Sequence, residues 1–170
     1  MKGMLFSIAI ADKGTIDENG KDDVDFLIST NPGEPLKPLR KIASGGELSR
    51  IMLAIKRVIG GDEEKTLIFD EVDAGIGGRV ADLVGRRLQD LAGKHQVICI
   101  THLPQIATYA DRHFLVEKIV RKGSARTDIK HIDDSERVQE LARMLGGATI
   151  TEKTIQRAEE MIYHATKGIH

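Results

Sequence analysis

Two adjacent carboxylates follow a short apolar run in the stretch TLIFDEVDAGIGG, residues 66–78. Asp70 and Glu71 end the run, Asp73 follows, and a glycine-rich segment comes next. A buried strand that ends in two acids delivers them to the carboxyl edge of a sheet, where α/β proteins bind ligands. Asp70 could hold Mg²⁺, directly or through water, and Glu71 could orient or deprotonate an attacking water. A single acid at this place would be an ordinary solvated residue, but the pair predicts part of a phosphate-handling site.

A second candidate motif is ASGGELSR, residues 43–50. Ser44 and Glu47 have the spacing of a capping box, which satisfies backbone amides and needs no ligand. Gly45 and Gly46 are not explained by a cap, because each lowers helix propensity by about 1 kcal/mol relative to Ala. A helix N-terminus with exposed N–H groups and no side chains in the way favours phosphate. We therefore expect a phosphate to approach this backbone closely.

A third candidate is His102, which follows the apolar run at residues 97–100. This position predicts an imidazole at the same sheet edge as Asp70 and Glu71. A lone histidine after a strand usually has no functional role. Because this one is predicted to lie beside a candidate phosphate site, we expect it to contact a γ-phosphate or the attacking water. The pattern GxxxxGK[ST], whose backbone cradles phosphates, does not occur in the sequence.

Composition sets outer limits on the function. The 170 residues are 41% hydrophobic and 30% charged, with a net charge of -1, so overall charge does not predict a nucleic-acid binder. The single cysteine, Cys99, lies in an apolar run and is predicted to be a buried structural thiol in a reducing compartment. The N-terminus lacks a signal-peptide cleavage site, and no apolar run approaches membrane-spanning length. We expect a cytoplasmic protein without a membrane partner.

The apolar periodicity predicts an α/β fold. Residues 4–11 and 24–30 read as a hairpin, 30–39 as a proline-rich extended loop, and 46–59 as an amphipathic helix ending at Gly60-Gly61. Residues 66–69 and 97–100 have the pattern of parallel strands buried on both faces. The helix between them, residues 79–93, has one predicted apolar side: Val80, Leu83, Val84, Leu88 and Leu91. Two further strands, 113–120 and 125–132 with a Lys-Gly turn, and two helices, 134–146 and 151–166, complete the chain.

The three motifs together resemble the C-terminal portion of an ABC-type ATPase head. ASGGELSR matches the signature motif, TLIFDEVD the Walker B motif, VDAGIGG the D-loop and ITHLP the switch histidine. Longer strings narrow the resemblance to the RecN family of SMC-like ATPases: TNPGEPLKPLRKIASGGELSRIMLAIK, FDEVDAGIGGRVA, CITHLPQIATYAD and RVQELARMLGGATITEKTIQRAEEM. The resemblance covers essentially the whole chain.

This resemblance implies an α/β fold: the C-terminal lobe of an ABC-type head, a mainly parallel sheet flanked by helices, lacking the Walker A half. Such heads are split by an antiparallel coiled coil, and on this reading the chain starts just after the coiled coil returns. Residues 1–170 would then be one partial domain. It would comprise lead-in strands and loop (1–42), the four motifs (43–110) and C-terminal strands and helices (111–170).

The resemblance also implies an ATPase that acts in DNA double-strand-break repair and recombination. Its cofactors would be ATP and Mg²⁺, with ATP sandwiched between two heads. Its partners would be the N-terminal Walker A half, a second head and DNA, at the bacterial nucleoid. Without the Walker A half, the chain alone is predicted to be inactive.

Site roles follow from the same resemblance. Signature residues Ser44, Gly45, Gly46 and Glu47 would bind the γ-phosphate in trans. Asp70 would hold the Mg²⁺ shell, Glu71 would be the catalytic carboxylate and His102 would sense the γ-phosphate. The D-loop across the dimer interface would include Asp73, Ala74, Gly75 and Gly77. Gly77 stands where transporter-like and SMC heads usually have Asp, which bears on communication between the two active sites.

Three alternatives remain open at the level of sequence. One is the head of another SMC-family or ABC ATPase, although ASGGELSR in place of LSGGQ argues against a transporter. A second is a Toprim-like metal-dependent nuclease that uses Asp70, Glu71 and Asp73 as metal ligands, but no further acid follows an upstream strand. A third is a binding half with no catalysis of its own.

Overall fold

A computed structural model describes residues 5–29, 33–42, 44–59, 64–121, 124–147 and 149–168. The chain forms two compact units, residues 1–44 and 45–170. Their boundary lies close to the predicted end of the lead-in segment at residue 42, while the assignment of the whole chain to one partial domain stays a prediction. Across the described ranges, no helix combines the length and the apolar character that crossing a membrane requires.

The first unit is built on the predicted hairpin. Strands β1 (Leu5–Asp17) and β2 (Gly20–Ser29) pair antiparallel. Both strands run further than predicted, through most of residues 12–23, and the turn is only Glu18 and Asn19. A register shift between Asp12 and Asp17 makes this possible: Gly14 adopts a φ of 75°, and its N–H donates to the Asp12 carboxylate at 2.7 Å.

The proline-rich segment is only partly the predicted loop. Residues 30–32 lie outside the described residues. Strand β3 (Lys37–Pro38) pairs with β2 at the edge of the sheet, a position where proline is tolerated because it need not donate a hydrogen bond. Helix α1 (Leu39–Ile42) follows.

The centre of the second unit is a strand–helix–strand motif. Strands β4 (Thr66–Phe69) and β5 (Gln96–Cys99) pair in parallel, with Phe69 opposite Cys99, and helix α3 (Gly78–Ala92) connects them. Both strands and the helix confirm the predicted unit. The prediction that the strands are buried on both faces is wrong for these described residues, since Ile68 is 67% exposed.

Helix α3 buries a stripe that differs from the predicted one. Its buried residues are Ala81, Val84, Gly85, Leu88 and Leu91. Val80 and Leu83 were expected to be buried but are about half exposed. The small residues Ala81 and Gly85 face inward instead because the packing is close: a Cβ on Gly85 would stand 2.4 Å from the Tyr109 ring.

Helix α2 (Gly45–Ile59) agrees with the predicted amphipathic helix. Leu53 is a buried core residue of this helix, whereas two other apolar residues of the helix, Leu48 and Met52, are nearly half exposed. The predicted stop at Gly60-Gly61 lies outside the described residues. Leu53 joins a core whose other residues lie mainly in β4 and α3 and in the segments that follow β4 and β5: Phe69, Val72, Ala81, Val84, Leu88, Leu91 and Ile106.

The remaining elements confirm the predicted hairpin and helices. Strands β6 (His113–Arg121) and β7 (Ser124–Ile132) pair antiparallel, and their Lys-Gly turn lies outside the described residues. Helices α5 (Asp134–Gly146) and α6 (Glu152–Lys167) pack together around Leu141, Ala142 and Ala158. A short helix that was not predicted, α4 (Pro104–Ala107), precedes β6. Among the described strands, only β4 and β5 pair in parallel; the other two sheets, β1-β2-β3 and β6-β7, are antiparallel.

Candidate functional site

Asp70 and Glu71 lie directly after β4, and both side chains are exposed. The chain turns sharply here: the Glu71 carbonyl oxygen accepts the Ala74 N–H at 3.0 Å, and Asp70 Oδ1 accepts the Glu71 N–H at 2.9 Å. Glu71 has a φ of 54°, the only positive value at a non-glycine residue in the described ranges. Such a conformation costs on the order of 1 kcal/mol and tends to occur at functional sites.

The N-terminus of α2 packs against this turn. A Cβ on Gly46 would stand 2.6 Å from the Glu71 carbonyl oxygen and 2.7 Å from the Ala74 Cβ. A Cβ on Gly45 would meet only the end of the Glu71 side chain, with Oε2 at 2.5 Å. The sequence predicts that a group lies very close to the glycine pair. At Gly46, the close group in the structure is the backbone of the same chain at Glu71. Phosphate contact with these glycines stays a prediction.

Two further residues of α2 hold the turn, and the sequence interpretation did not assign them. Ser49 Oγ donates to the Asp70 carbonyl oxygen at 2.8 Å. Arg50 Nη1 donates to the carbonyl oxygens of Val72 and Ala74 at 3.2 and 2.8 Å. The sequence feature that could have pointed to these two residues is their position. They lie one helical turn after the glycine pair, on a helix that precedes the turn at residues 70–74, called the acidic turn below.

Asp73 connects the turn after β4 to the end of β5. Its Oδ2 accepts the Thr101 hydroxyl at 2.7 Å and the His102 backbone N–H at 2.8 Å. The same oxygen lies 2.8 Å from His102 Nδ1. The Asp73 side chain is 4% exposed, whereas that of His102 is 76% exposed. The structure thus joins His102 to the acidic turn through Asp73, and Thr101 is a contributor that sequence reasoning missed.

The surroundings of Asp73 favour its ionised form. Burial by itself raises the pKa of this carboxyl, but the Thr101 hydroxyl, the His102 N–H and the charge of His102 outweigh burial and hold the pKa below its ordinary value. Hydrogen bonds to a carboxylate stabilise the charged form in this way. The Asp73 carboxylate is therefore a fixed negative group beneath the histidine.

Cys99 at the end of β5 is half-buried rather than fully buried as predicted, and its structural role stays a prediction. Burial, together with the negative charges of Asp73 and Asp70, raises the pKa of its thiol to about 12. A thiol in this setting is a poor nucleophile at neutral pH.

The other predicted site residues fall in two groups. Ser44 is the last residue of the first unit, directly before α2, and Glu47 is in the first turn of α2. In the D-loop, Gly75 has a φ of 70° and Gly77 is extended and precedes α3. The Asp73 side chain is buried within its own chain, and a role of the D-loop residues across an interface stays a prediction.

The donor set at this edge fits Mg²⁺. In the part of the chain that the structure describes, no three His, Cys, Asp or Glu side chains are grouped so as to hold a metal ion. Mg²⁺ needs no such group, since it keeps several waters and typically takes one or two carboxylates plus substrate phosphates. Exposed Asp70 can supply one carboxylate. The nuclease alternative is not favoured. Asp73, which would be its third metal ligand, is buried, and its carboxylate contacts Thr101 and His102.

Solved structures with a similar fold are SMC head domains. A head domain with coiled coil and joint from Pyrococcus yayanosii matches 93% of this chain and 26% of that chain, with a TM-score of 0.54 and 18% identity. A head domain from Pyrococcus furiosus, with an extended coiled coil and bound to the C-terminal domain of ScpA, matches 84% and 34% with a TM-score of 0.50 and 18% identity. The fold of the chain is therefore the α/β fold of part of an SMC head domain.

Curated relatives identify the family within that class. DNA repair protein RecN of Halalkalibacterium halodurans is 48% identical over 150 residues, 88% of this chain. RecN of Treponema pallidum is 52% identical over 84% of the chain, and RecN of Rickettsia bellii 46% over 96%. The matched part of the chain is RecN-like. The match covers 26%, 25% and 30% of these relatives, so the chain spans about a quarter of their length. No protein-family model matches the chain.

Proposed function

We propose that the chain is the signature and Walker B part of a RecN-type ATPase head that acts in DNA double-strand-break repair and recombination. One observation carries the proposal: the acidic turn after β4 is joined to the glycine pair of α2 on one side and, through Asp73, to His102 on the other. A base, a metal ligand and a phosphate sensor at one sheet edge are among the groups that ATP hydrolysis uses, and the Walker A loop would supply the remaining phosphate contacts.

Glu71 acts as the general base in this proposal. Its carboxylate is exposed at the end of β4, where a water beside a bound γ-phosphate could reach it. Asp70, held by its bond from the Glu71 N–H, would hold the shell of Mg²⁺, which neutralises phosphate charge when bound. His102 would meet the γ-phosphate with its exposed ring edge.

The signature residues act on a second head. Helix α2 begins at Gly45, and the positive end of the helix dipole favours an anion at this terminus. Ser44, Gly45 and Gly46, followed by Glu47, would bind the γ-phosphate of an ATP held by the Walker A loop of the other head. The exposed glycines Gly75 and Gly77 suit a D-loop that approaches the partner backbone closely.

The N-terminal Walker A half is the proposed partner within the head. One face of the β4–β5 pair leaves Ile68, Ile98 and Ile100 about half to two-thirds exposed. A contiguous apolar surface of this kind is typical of a protein–protein contact. DNA is the proposed partner of the complete protein, which we place in the bacterial cytoplasm at the nucleoid.

ATP hydrolysis after reconstitution tests the proposal. The chain alone should hydrolyse ATP at the background rate, and addition of a RecN N-terminal half that carries the GxxxxGK[ST] loop should restore turnover. Glu71→Gln in the reconstituted head should lower turnover by about 10²- to 10⁴-fold, the usual contribution of a general base, and trap an ATP-bound dimer. The control Glu159→Gln, an exposed glutamate of α6, should change neither. Glu71-dependent hydrolysis by the chain alone, or full turnover of Glu71→Gln, would contradict the proposal.

A further inference from the structure

We propose that Tyr109 is a positioning residue for His102. Its hydroxyl joins the segment that follows His102 to helix α3, which follows the proposed D-loop, and so holds these two loops of the site at a fixed spacing. The inference rests on the proposed function for its catalytic meaning alone. The contact itself is a property of the free chain.

The side chains of Tyr109, Asp82 and Arg86 form a closed group of hydrogen bonds, called the hydroxyl cluster below. The Tyr109 hydroxyl donates to Asp82 Oδ1 at 2.7 Å and accepts from Arg86 Nε at 3.1 Å. Arg86 Nη2 donates to the other Asp82 oxygen at 2.6 Å. Burial and the bond to Asp82 raise the pKa of the Tyr109 hydroxyl, so it stays protonated at neutral pH and remains the donor to the carboxylate.

Tyr109 also packs directly against the backbone of α3. The residue is only 8% exposed. A Cβ on Gly85 would stand 2.4 Å from Tyr109 Cδ2 and 2.9 Å from the carbonyl oxygen of Gln105 in α4. There is therefore no room for a side chain between α3 and α4 at this point, and the ring that carries the hydroxyl is itself held by packing.

Short hydrogen-bonded segments connect the hydroxyl cluster to the two loops of the site. The Ala107 N–H donates to the Leu103 carbonyl oxygen at 3.1 Å, so α4 continues directly from the residue after His102. The Val80 N–H donates to the Gly77 carbonyl oxygen at 3.2 Å, so α3 continues directly from the proposed D-loop. The cluster thus joins two helices that each begin at a site loop.

The two loops also have a contact of their own, which can report on their spacing. The His102 backbone N–H donates to Oδ2 of Asp73 at 2.8 Å. This hydrogen bond requires that the ends of the two loops stay close together. Loss of the Tyr109 hydroxyl should loosen α4 against α3 and let the His102 N–H leave Asp73 more often.

Amide hydrogen exchange of the free chain, without nucleotide, measures this effect at the His102 N–H. Tyr109→Phe removes the hydroxyl and keeps the ring against Gly85. We expect exchange at His102 to become about 5- to 10-fold faster, the usual effect of one lost hydrogen bond on a local opening equilibrium. Unchanged exchange at His102 in folded Tyr109→Phe would overturn the inference.

Two controls separate this effect from a general loss of stability. Tyr163→Phe removes the hydroxyl of an exposed tyrosine of α6 and should leave His102 exchange unchanged. Ile162→Val lowers stability in the core between α5 and α6, away from the hydroxyl cluster, and should also leave it unchanged. An equal acceleration at His102 in Ile162→Val and Tyr109→Phe would overturn the positioning role, because exchange would then follow the stability of the whole chain.

Asp82→Ala tests whether the hydroxyl acts through the carboxylate. The variant removes the acceptor of the Tyr109 hydroxyl and should also accelerate exchange at His102. The double variant Tyr109→Phe/Asp82→Ala should exchange about as fast as Asp82→Ala alone, because both changes remove the same hydrogen bond. Accelerations that multiply in the double variant would refute the bond as the link between the helices.

The reconstituted head tests the catalytic meaning of the contact. Buried Tyr109 acts through His102, so Tyr109→Phe should lower kcat per folded head and leave KM for ATP unchanged, whereas Ile162→Val should change neither. An active head in which Tyr109→Phe keeps the wild-type kcat would overturn the positioning role. Faster His102 exchange in the free chain, together with a reconstituted wild-type head that is inactive, would leave the contact standing and reject the ATPase proposal alone.

Discussion

A methyl group on Gly46 would stand 2.6 Å from the carbonyl oxygen of Glu71. There is therefore no room for a side chain between the glycine of the proposed phosphate-binding turn and the backbone of the proposed base. Arg50, one turn further along α2, donates to two carbonyl oxygens of the same acidic turn. A displacement of α2 would consequently be transmitted to the segment that carries Glu71.

The first prediction concerns Gly46→Ala. The added Cβ would meet the backbone oxygen of Glu71 and the Cβ of Ala74, neither of which can rotate away. Overpacking of this kind costs typically about 1 to 3 kcal/mol. Because alanine also gains about 1 kcal/mol of helix propensity over glycine, we expect the free energy of unfolding, measured with urea in the absence of nucleotide, to fall by up to about 2 kcal/mol.

Gly45→Ala is the matched control for this prediction. Its Cβ would meet only the flexible end of Glu71, and alanine improves helix propensity by about 1 kcal/mol over glycine. The unfolding free energy should therefore stay the same or rise. Equal destabilisation by the two variants would contradict the steric role of Gly46.

The second prediction concerns Arg50→Met. This change keeps much of the side-chain volume but removes both charge-assisted bonds to Val72 and Ala74. A hydrogen bond to a charged group contributes about 1.5 to 3 kcal/mol, and we expect a loss near the lower end of that range because the side chain is only half-buried. Amide hydrogen exchange should accelerate at Ala74, whose N–H bonds to Glu71 within the turn.

Arg87→Met provides the comparison for Arg50→Met. Arg87 makes an exposed ion pair with Asp90 on α3, a kind of contact that contributes between about 0 and 1 kcal/mol. Exchange at Ala74 should not change in this variant. An acceleration of the same size in both variants would show that the Arg50 bonds do not hold the turn.

The sequence predicted the elements that depend on local patterns. The 3.6-residue period of α2 and α3 and the apolar runs of β4 and β5 were sufficient to find them. The motif residues Asp70, Glu71 and His102 were placed at one sheet edge because parallel strands end on the same side. These inferences need only the period, the strand direction and the chain order.

What the sequence did not predict depends on packing between elements. Val80 and Leu83 have the right spacing for an apolar stripe, but the side of α3 that faces the core is set by the close approach of Tyr109 to Gly85. Asp73 is buried and accepts a hydrogen bond from Thr101 because the ends of β4 and β5 lie close together. The identities of the two residues do not show how close those strand ends are. The β1–β2 strands were predicted too short because a bulge lets polar residues continue a strand.

The third prediction concerns Cys99. Burial and two neighbouring carboxylates raise the pKa of its thiol from the ordinary 9.0 to about 12. At a fixed pH near 8 the thiolate fraction is then about 1,000-fold lower than for a free thiol. We expect alkylation of the folded chain by iodoacetamide to be slowed by about that factor and to recover in urea. Rapid alkylation of the folded chain would contradict the burial of this strand end.

The fourth prediction is a pH dependence caused by Asp73. The pKa of this carboxyl is held below its ordinary value of 3.8 in the folded chain, so the unfolded chain binds the proton more readily. The stabilisation is thus fully present above the unfolded pKa and is lost as the pH falls through the folded pKa; each unit of difference corresponds to about 1.4 kcal/mol. Urea unfolding between about pH 6 and pH 3 should show a steeper loss of stability for the wild type than for Asp73→Asn. Thr101→Val removes one of the donors to Asp73 and should give an intermediate slope, whereas identical slopes for all three chains would exclude a carboxylate stabilised by Thr101 and His102.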